Sequence, residues 1–130
     1  MANVAVSILG GHNGSPDASI AFLLPQTPAE ITLWMIVSIL AGISEEAIYR
    51  GYLQKQFAAL TGSLPAGISI SAAAFGAVHG YQGWPRATVI AISAILFGVV
   101  AHWRRTVRPG MFAHSLQDAI APLLLKLLRH

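Results

Sequence analysis

The chain has 130 residues, of which 55% are apolar and only 10% charged, and its formal net charge is +3. That length allows one domain. Charge far below the usual quarter, with a mean hydropathy of +0.61, excludes an ordinary soluble domain and points to a membrane protein. The lack of cysteine excludes disulfides and thiolate metal sites.

Taken in order, residues 1–27 read as an irregular leader. Val4 to Leu9 is a short apolar stub, and Gly10 to Asp17 is turn chemistry. No basic start, long apolar core or small-residue cleavage site marks it as a signal peptide. The body, residues 28–130, opens with Thr27-Pro28-Ala29-Glu30, which is a helix start: a threonine cap, a proline in the first turn and an acid near the positive dipole end.

Helix one is expected from Pro28 to Leu60, with Thr61 to Pro65 as its stop. Helix two, Ala66 to His79, is rich in Ala, Ser and Gly, the composition of a closely packed helix in lipid. It is shorter than the roughly 20 residues a span needs. Gly80 to Arg86 reads as a turn with interfacial aromatics. Helix three is expected over Ala87 to Trp103, and Arg104 to Gly110 as the next loop. Helix four covers Met111 to Leu128 and tolerates Pro122. The fold class is therefore all-α, a polytopic transmembrane bundle of about four membrane helices.

The basic residues are few and sit between apolar runs, so the positive charge does not indicate nucleic acid; the implied partner is a lipid bilayer. Lys55, Arg104, Arg105 and Arg108 fall on one side of the bundle, and Arg86, Lys126 and Arg129 on the other. The first side leans cytoplasmic.

Glu45, Glu46 and Arg50 directly follow an apolar run, Ile31 to Ile43. A charge at mid-membrane costs about 2.5–3.5 kcal/mol, whereas each Leu, Ile or Val returns only about 0.3–0.6. Three charges facing lipid would outweigh the run, so they face the bundle interior, a polar cavity or the interface. Glu46 and Arg50 are four apart and pair on one face. Glu45 has Tyr49 at that spacing, which leaves it without an in-helix cation and suits it to work as a general base. Taken alone, the string is equally an interfacial anchor, together with Lys55.

Other helices bring further polar groups. His79 ends helix two, and His114 and Asp118 share a face at the start of helix four. His102 beside Trp103 reads as interfacial, and His12 and His130 lie in tails. Glu45, His79 and His114 make a two-histidine, one-carboxylate set suited to zinc with an open position for water. The string His-Glu-x-x-His is absent.

Glu45-Glu46-x-x-x-Arg50, Phe75-x-x-x-His79 and His114-x-x-x-Asp118, in that order, resemble the CAAX protease and bacteriocin-processing family of intramembrane proteases, also called the Abi family. Arg50-Gly51-Tyr52-Leu53-Gln54 and Leu96-Phe97-Gly98 look like that family as well, and the likeness runs from Pro28 to Leu125. It implies cleavage of a peptide bond in a membrane-associated protein or peptide. Glu45 and His79 would activate water, while His114 and Asp118 would steady the oxyanion or help bind a divalent metal. Both metalloprotease and metal-free glutamate mechanisms are associated with the family. Two departures stand out. The third motif commonly ends in asparagine where this chain has Asp118, and family members generally carry further helices before the first motif.

The expectation is thus an intramembrane endopeptidase of the multi-pass bacterial cell-membrane type, with Glu46 and Arg50 bracing the first motif. The runner-up is a non-catalytic membrane interaction protein, such as a bacteriocin-immunity or assembly factor, that retains the motif residues. A proton or cation pathway through Glu45, His79 and Asp118 would need a continuous polar path, and Ser93 alone does not supply one. Substrate identity and oligomeric state are left open.

Overall fold

The computed structural model describes residues 25–128, and the leader call on residues 1–27 falls almost wholly outside them. Every element among the described residues is helical. The first is α1, Pro28–Glu46, which continues through a π-helical segment, Ala47–Leu53, into α2, Gln54–Thr61. Then follow α3 (Leu64–Val78), a 3₁₀ turn (Gly80–Gln82), α4 (Trp84–Arg104) and α5 (Arg108–Leu128).

The expected start of α1 is present as a full capping box: Thr27 Oγ1 accepts from Glu30 N, and the Glu30 carboxylate accepts from Thr27 N. The other helices begin earlier than the sequence patterns indicated. Pro65, expected to stop helix one, stands in the first turn of α3 behind the Ser63 cap. Pro85 stands likewise in α4, and Pro109 in α5. In each case proline occupies a position whose N–H has no helical acceptor anyway. Pro122 is accommodated inside α5.

The π-helical segment was not anticipated. Ser38, Gly42, Glu46, Arg50 and Gln54 are all buried and all four residues apart. On a regular helix each such step overshoots a full turn by about 40°. The wider i→i+5 turns take that overshoot back, so Arg50 and Gln54 stay on the inner face with Glu46. The Tyr49 carbonyl accepts the π-type bond from Gln54 N and a second bond from Ser71 Oγ at 2.7 Å, which ties the segment to α3.

The helices form two arms. α1 packs on α5, and α3 packs on α4 and α2, whereas α4 and α5 touch far less. Within the first arm the helices nearly merge: a Cβ at Gly42 would stand 2.6 Å from the Ser115 backbone nitrogen. Such approach requires glycine. The apolar core is small, built from Ala72, Phe75 and Ala94 with Tyr49 and Ile90 against it. Leu33, Ile36, Val37, Leu40 and Ile43 of α1 are exposed, as are Ile92, Leu96 and Val99 of α4.

Two helical stretches, Pro28–Thr61 and Trp84–Arg104, are long and apolar enough to cross a membrane. α4 carries exposed Trp84 and Trp103 at its ends. The rise between them is about 29 Å, close to the roughly 30 Å hydrocarbon core, a spacing suited to two interfacial indoles.

Candidate active site

The cleft between the two arms holds about 620 Å³. Trp34, Val37, Ala41, Val89, Ile90 and Phe97 give it apolar walls, and Glu45, His79, His114 and Asp118 all line it. Glu45, Asp118 and the two histidines thus meet one cavity, whereas Glu46 and Arg50 do not line it.

His114 is the hub, and it is buried. Its Nδ1 lies 3.3 Å from Glu46 Oε1. Its Nε2 lies 3.6 Å from both Glu45 Oε2 and Asp118 Oδ2. Carboxylates only accept, and a ring flanked by them on both sides is matched by the imidazolium, with a donor at each nitrogen.

Glu46 is inaccessible to solvent, and its Oε1 stands 3.0 Å from Arg50 Nη1. The contact is an ion pair without hydrogen-bond alignment, because Arg50 Nη1, Arg50 Nη2 and Glu46 Oε2 have no hydrogen-bond partner. A buried pair this poorly satisfied contributes little net stability. What it does is hold charge behind His114. The guanidinium also lies over Phe75, 4.6 Å from the ring centroid, and 5.7 Å from Phe97; a desolvated cation–π contact is worth about 2 kcal/mol.

Glu45 differs from its neighbour. Its side chain is 31% exposed and opens on the cleft. His79 caps the end of α3, and its Nδ1 is 2.8 Å from the Phe75 carbonyl. A carbonyl accepts only, so Nδ1 carries a proton, and in the neutral ring Nε2 is the acceptor.

Several further residues build the site without carrying a charge. Phe75 packs against Tyr49, His79 and His114 together, and Phe97 stacks on His114 at 5.9 Å. Gln54 Nε2 donates to the Gly98 carbonyl at 3.2 Å and fixes α2 to α4. The spacing of Gln54 from Arg50 was the available signal. Gly110 had none: a Cβ there would stand 2.6 Å from Glu46 Oε2, so α5 begins flush against the buried carboxylate.

Glu45, His79 and His114 are the ligands that the sequence pattern offers a divalent metal such as zinc. Among the described residues no three histidine or acidic side chains are grouped so as to hold a metal ion. His79 Nδ1 and His114 Nδ1 are both engaged by protein oxygens.

No curated protein and no solved structure matches the chain. A family profile does, that of the type II CAAX prenyl endopeptidases termed Rce1-like, over residues 27–120. That span takes in most of the chain and all of Glu45, Glu46, Arg50, His79, His114 and Asp118, and this chain belongs to the type II CAAX prenyl endopeptidase Rce1-like family.

Proposed function

We propose that the protein is a multi-pass intramembrane endopeptidase that cleaves a membrane-associated peptide or protein within the cleft between its arms. The observation that carries this is the convergence of Glu45, His79, His114 and Asp118 on one apolar-walled cavity in a chain of a protease family. Polar groups gathered inside an otherwise apolar bundle mark function by default.

The chemistry uses this chain's own groups. Glu45, the accessible carboxylate, takes a proton from water as its oxygen attacks the scissile carbonyl carbon. His79 Nε2 accepts the second O–H and aims the water. The carbonyl oxygen becomes the oxyanion and faces the His114 Nε2–H, whose charge Glu46, Arg50 and Asp118 set in place. Collapse breaks the C–N bond, and the proton held by Glu45 passes to the leaving amine. Asp118 serves here by orienting His114. No step is routed through a metal.

The test is cleavage of a membrane-anchored peptide by the purified protein in lipid vesicles. Glu45→Gln and His79→Ala forms should lose about a hundredfold or more in rate while keeping native helix content, and equal activity in all three would overturn the proposal.

A further inference from the structure

A second cavity, about 510 Å³, lies on the other side of the buried ion pair and shares no lining residue with the cleft. Its walls come from the π-helical segment and α2, the start of α3, the end of α4 and the following turn. Arg50, Lys55, His102 and Arg105 line it, with Gln54 and Thr106 as neutral polar neighbours, and no acid is among its lining residues. Among the described residues, neither Lys55 nor Arg105 has an ion-pair partner. Arg50, also in the wall, is buried, and its Nη1 and Nη2 lack hydrogen-bond acceptors.

The level of this cavity follows from its neighbours. Trp103 is 75% exposed, and Arg104 lies over its ring at 5.9 Å, the pairing of an interfacial anchor. His102 and Arg105 flank those two residues. Arg105 adopts a left-handed backbone, φ 53°, and its N–H caps α4 on the His102 carbonyl at 3.2 Å. A concave site with Arg50, Lys55, His102 and Arg105 in its wall, no acid and a position at headgroup depth is built for an anion.

We infer that this cavity binds a phosphate group, supplied by the headgroup of an anionic phospholipid. Lys55 and Arg105 provide the accessible charge, and the Thr106 hydroxyl, which accepts from Arg108 N at 3.3 Å, keeps its own proton to donate. The site shares only Arg50 with the groups behind the hydrolytic cleft, and it stands whether or not the chain cleaves peptides.

The experiment is native mass spectrometry of the full chain in detergent, titrated with phosphatidylglycerol, phosphatidylcholine or inorganic phosphate. Phosphatidylglycerol should be retained and phosphatidylcholine not. Lys55→Gln with Arg105→Asn should weaken retention about tenfold or more, since each basic group near a phosphate contributes on the order of a factor of five. Asparagine tolerates the left-handed backbone at 105, and the single Lys55→Gln form should lose an intermediate amount. Arg104→Gln with Arg108→Gln removes equal charge from the same turn outside the cavity and should change retention less than about threefold. Equal losses in the two double variants, or equal retention of both lipids, would overturn the inference. Displacement of the lipid by millimolar phosphate, lost in the Lys55/Arg105 variant, would support the phosphate site and identify the free anion as a competing source.

Discussion

Glu46 Oε1 is shared between two partners, Arg50 Nη1 at 3.0 Å and His114 Nδ1 at 3.3 Å. One buried oxygen therefore connects the first motif helix to the third, and its removal strands charge on both.

Breaking this pair from one side should be severe. Arg50→Ala leaves the buried Glu46 with only His114 beside it, and loss of one member of a buried pair costs about 3–5 kcal/mol. Glu46→Gln with Arg50→Met, which removes both charges at similar volume, should recover most of that loss. Thermal unfolding in the same detergent for the single and double forms checks this. A double form as unstable as Arg50→Ala would contradict the pairing.

Gly110→Ala should damage both folding and the site. The added methyl would press on Glu46 Oε2, and overpacking costs about 1–3 kcal/mol. Gly51→Ala is the comparison, because its Cβ would meet nothing nearer than 3.8 Å. It should unfold within about 0.5–1 kcal/mol of the parent, in line with the gain of alanine over glycine in helix. Similar melting temperatures for the two variants would refute the contact.

Glu45→Gln should lower the rate constant for peptide cleavage by roughly 10²–10⁴, the usual contribution of a general base. Stability should hardly change, since the side chain is partly exposed and makes its nearest ionic contact at 3.6 Å. A rate loss matched by an equal loss of folded protein would point to a structural part for Glu45 instead.

Incubation with a strong chelator, followed by assay in metal-free buffer, should leave cleavage within about twofold of the untreated protein, because every proton transfer proposed above uses side-chain acceptors and donors alone. Loss of activity restored by zinc would replace the water-activating pair with a Lewis-acid route.

Much of this site was legible in the chain, for an identifiable reason. Charges beside an apolar run are costly, so Glu45, Glu46, Arg50, His79 and His114-x-x-x-Asp118 stood out singly, and the four-residue spacing of Glu46 and Arg50 matches their contact at 3.0 Å. Distances between helices were not legible, and with them went Gly110, whose significance arises only from the approach of α5 to Glu46. Proline by itself does not separate loop from helix start: Pro65, Pro85 and Pro109 each belong to a first turn. Pro28 was placed correctly because Thr27 and Glu30 flagged the cap. The π-helical segment, Ala47–Leu53, left no trace, since its composition, apart from Gly51, is that of ordinary helix.

That segment amounts to a one-residue insertion in the longest rod of the molecule. Deleting a single residue between 47 and 53 would let regular helix run straight through: seven steps of about 100° from Glu46 bring Gln54 within about 20° of its present facing. Gln54 would still be directed at the Gly98 carbonyl, and Lys55 at the basic cavity. A deletion in the regular turns of α1 or α2 has no such slack and would turn everything beyond it by about 100°.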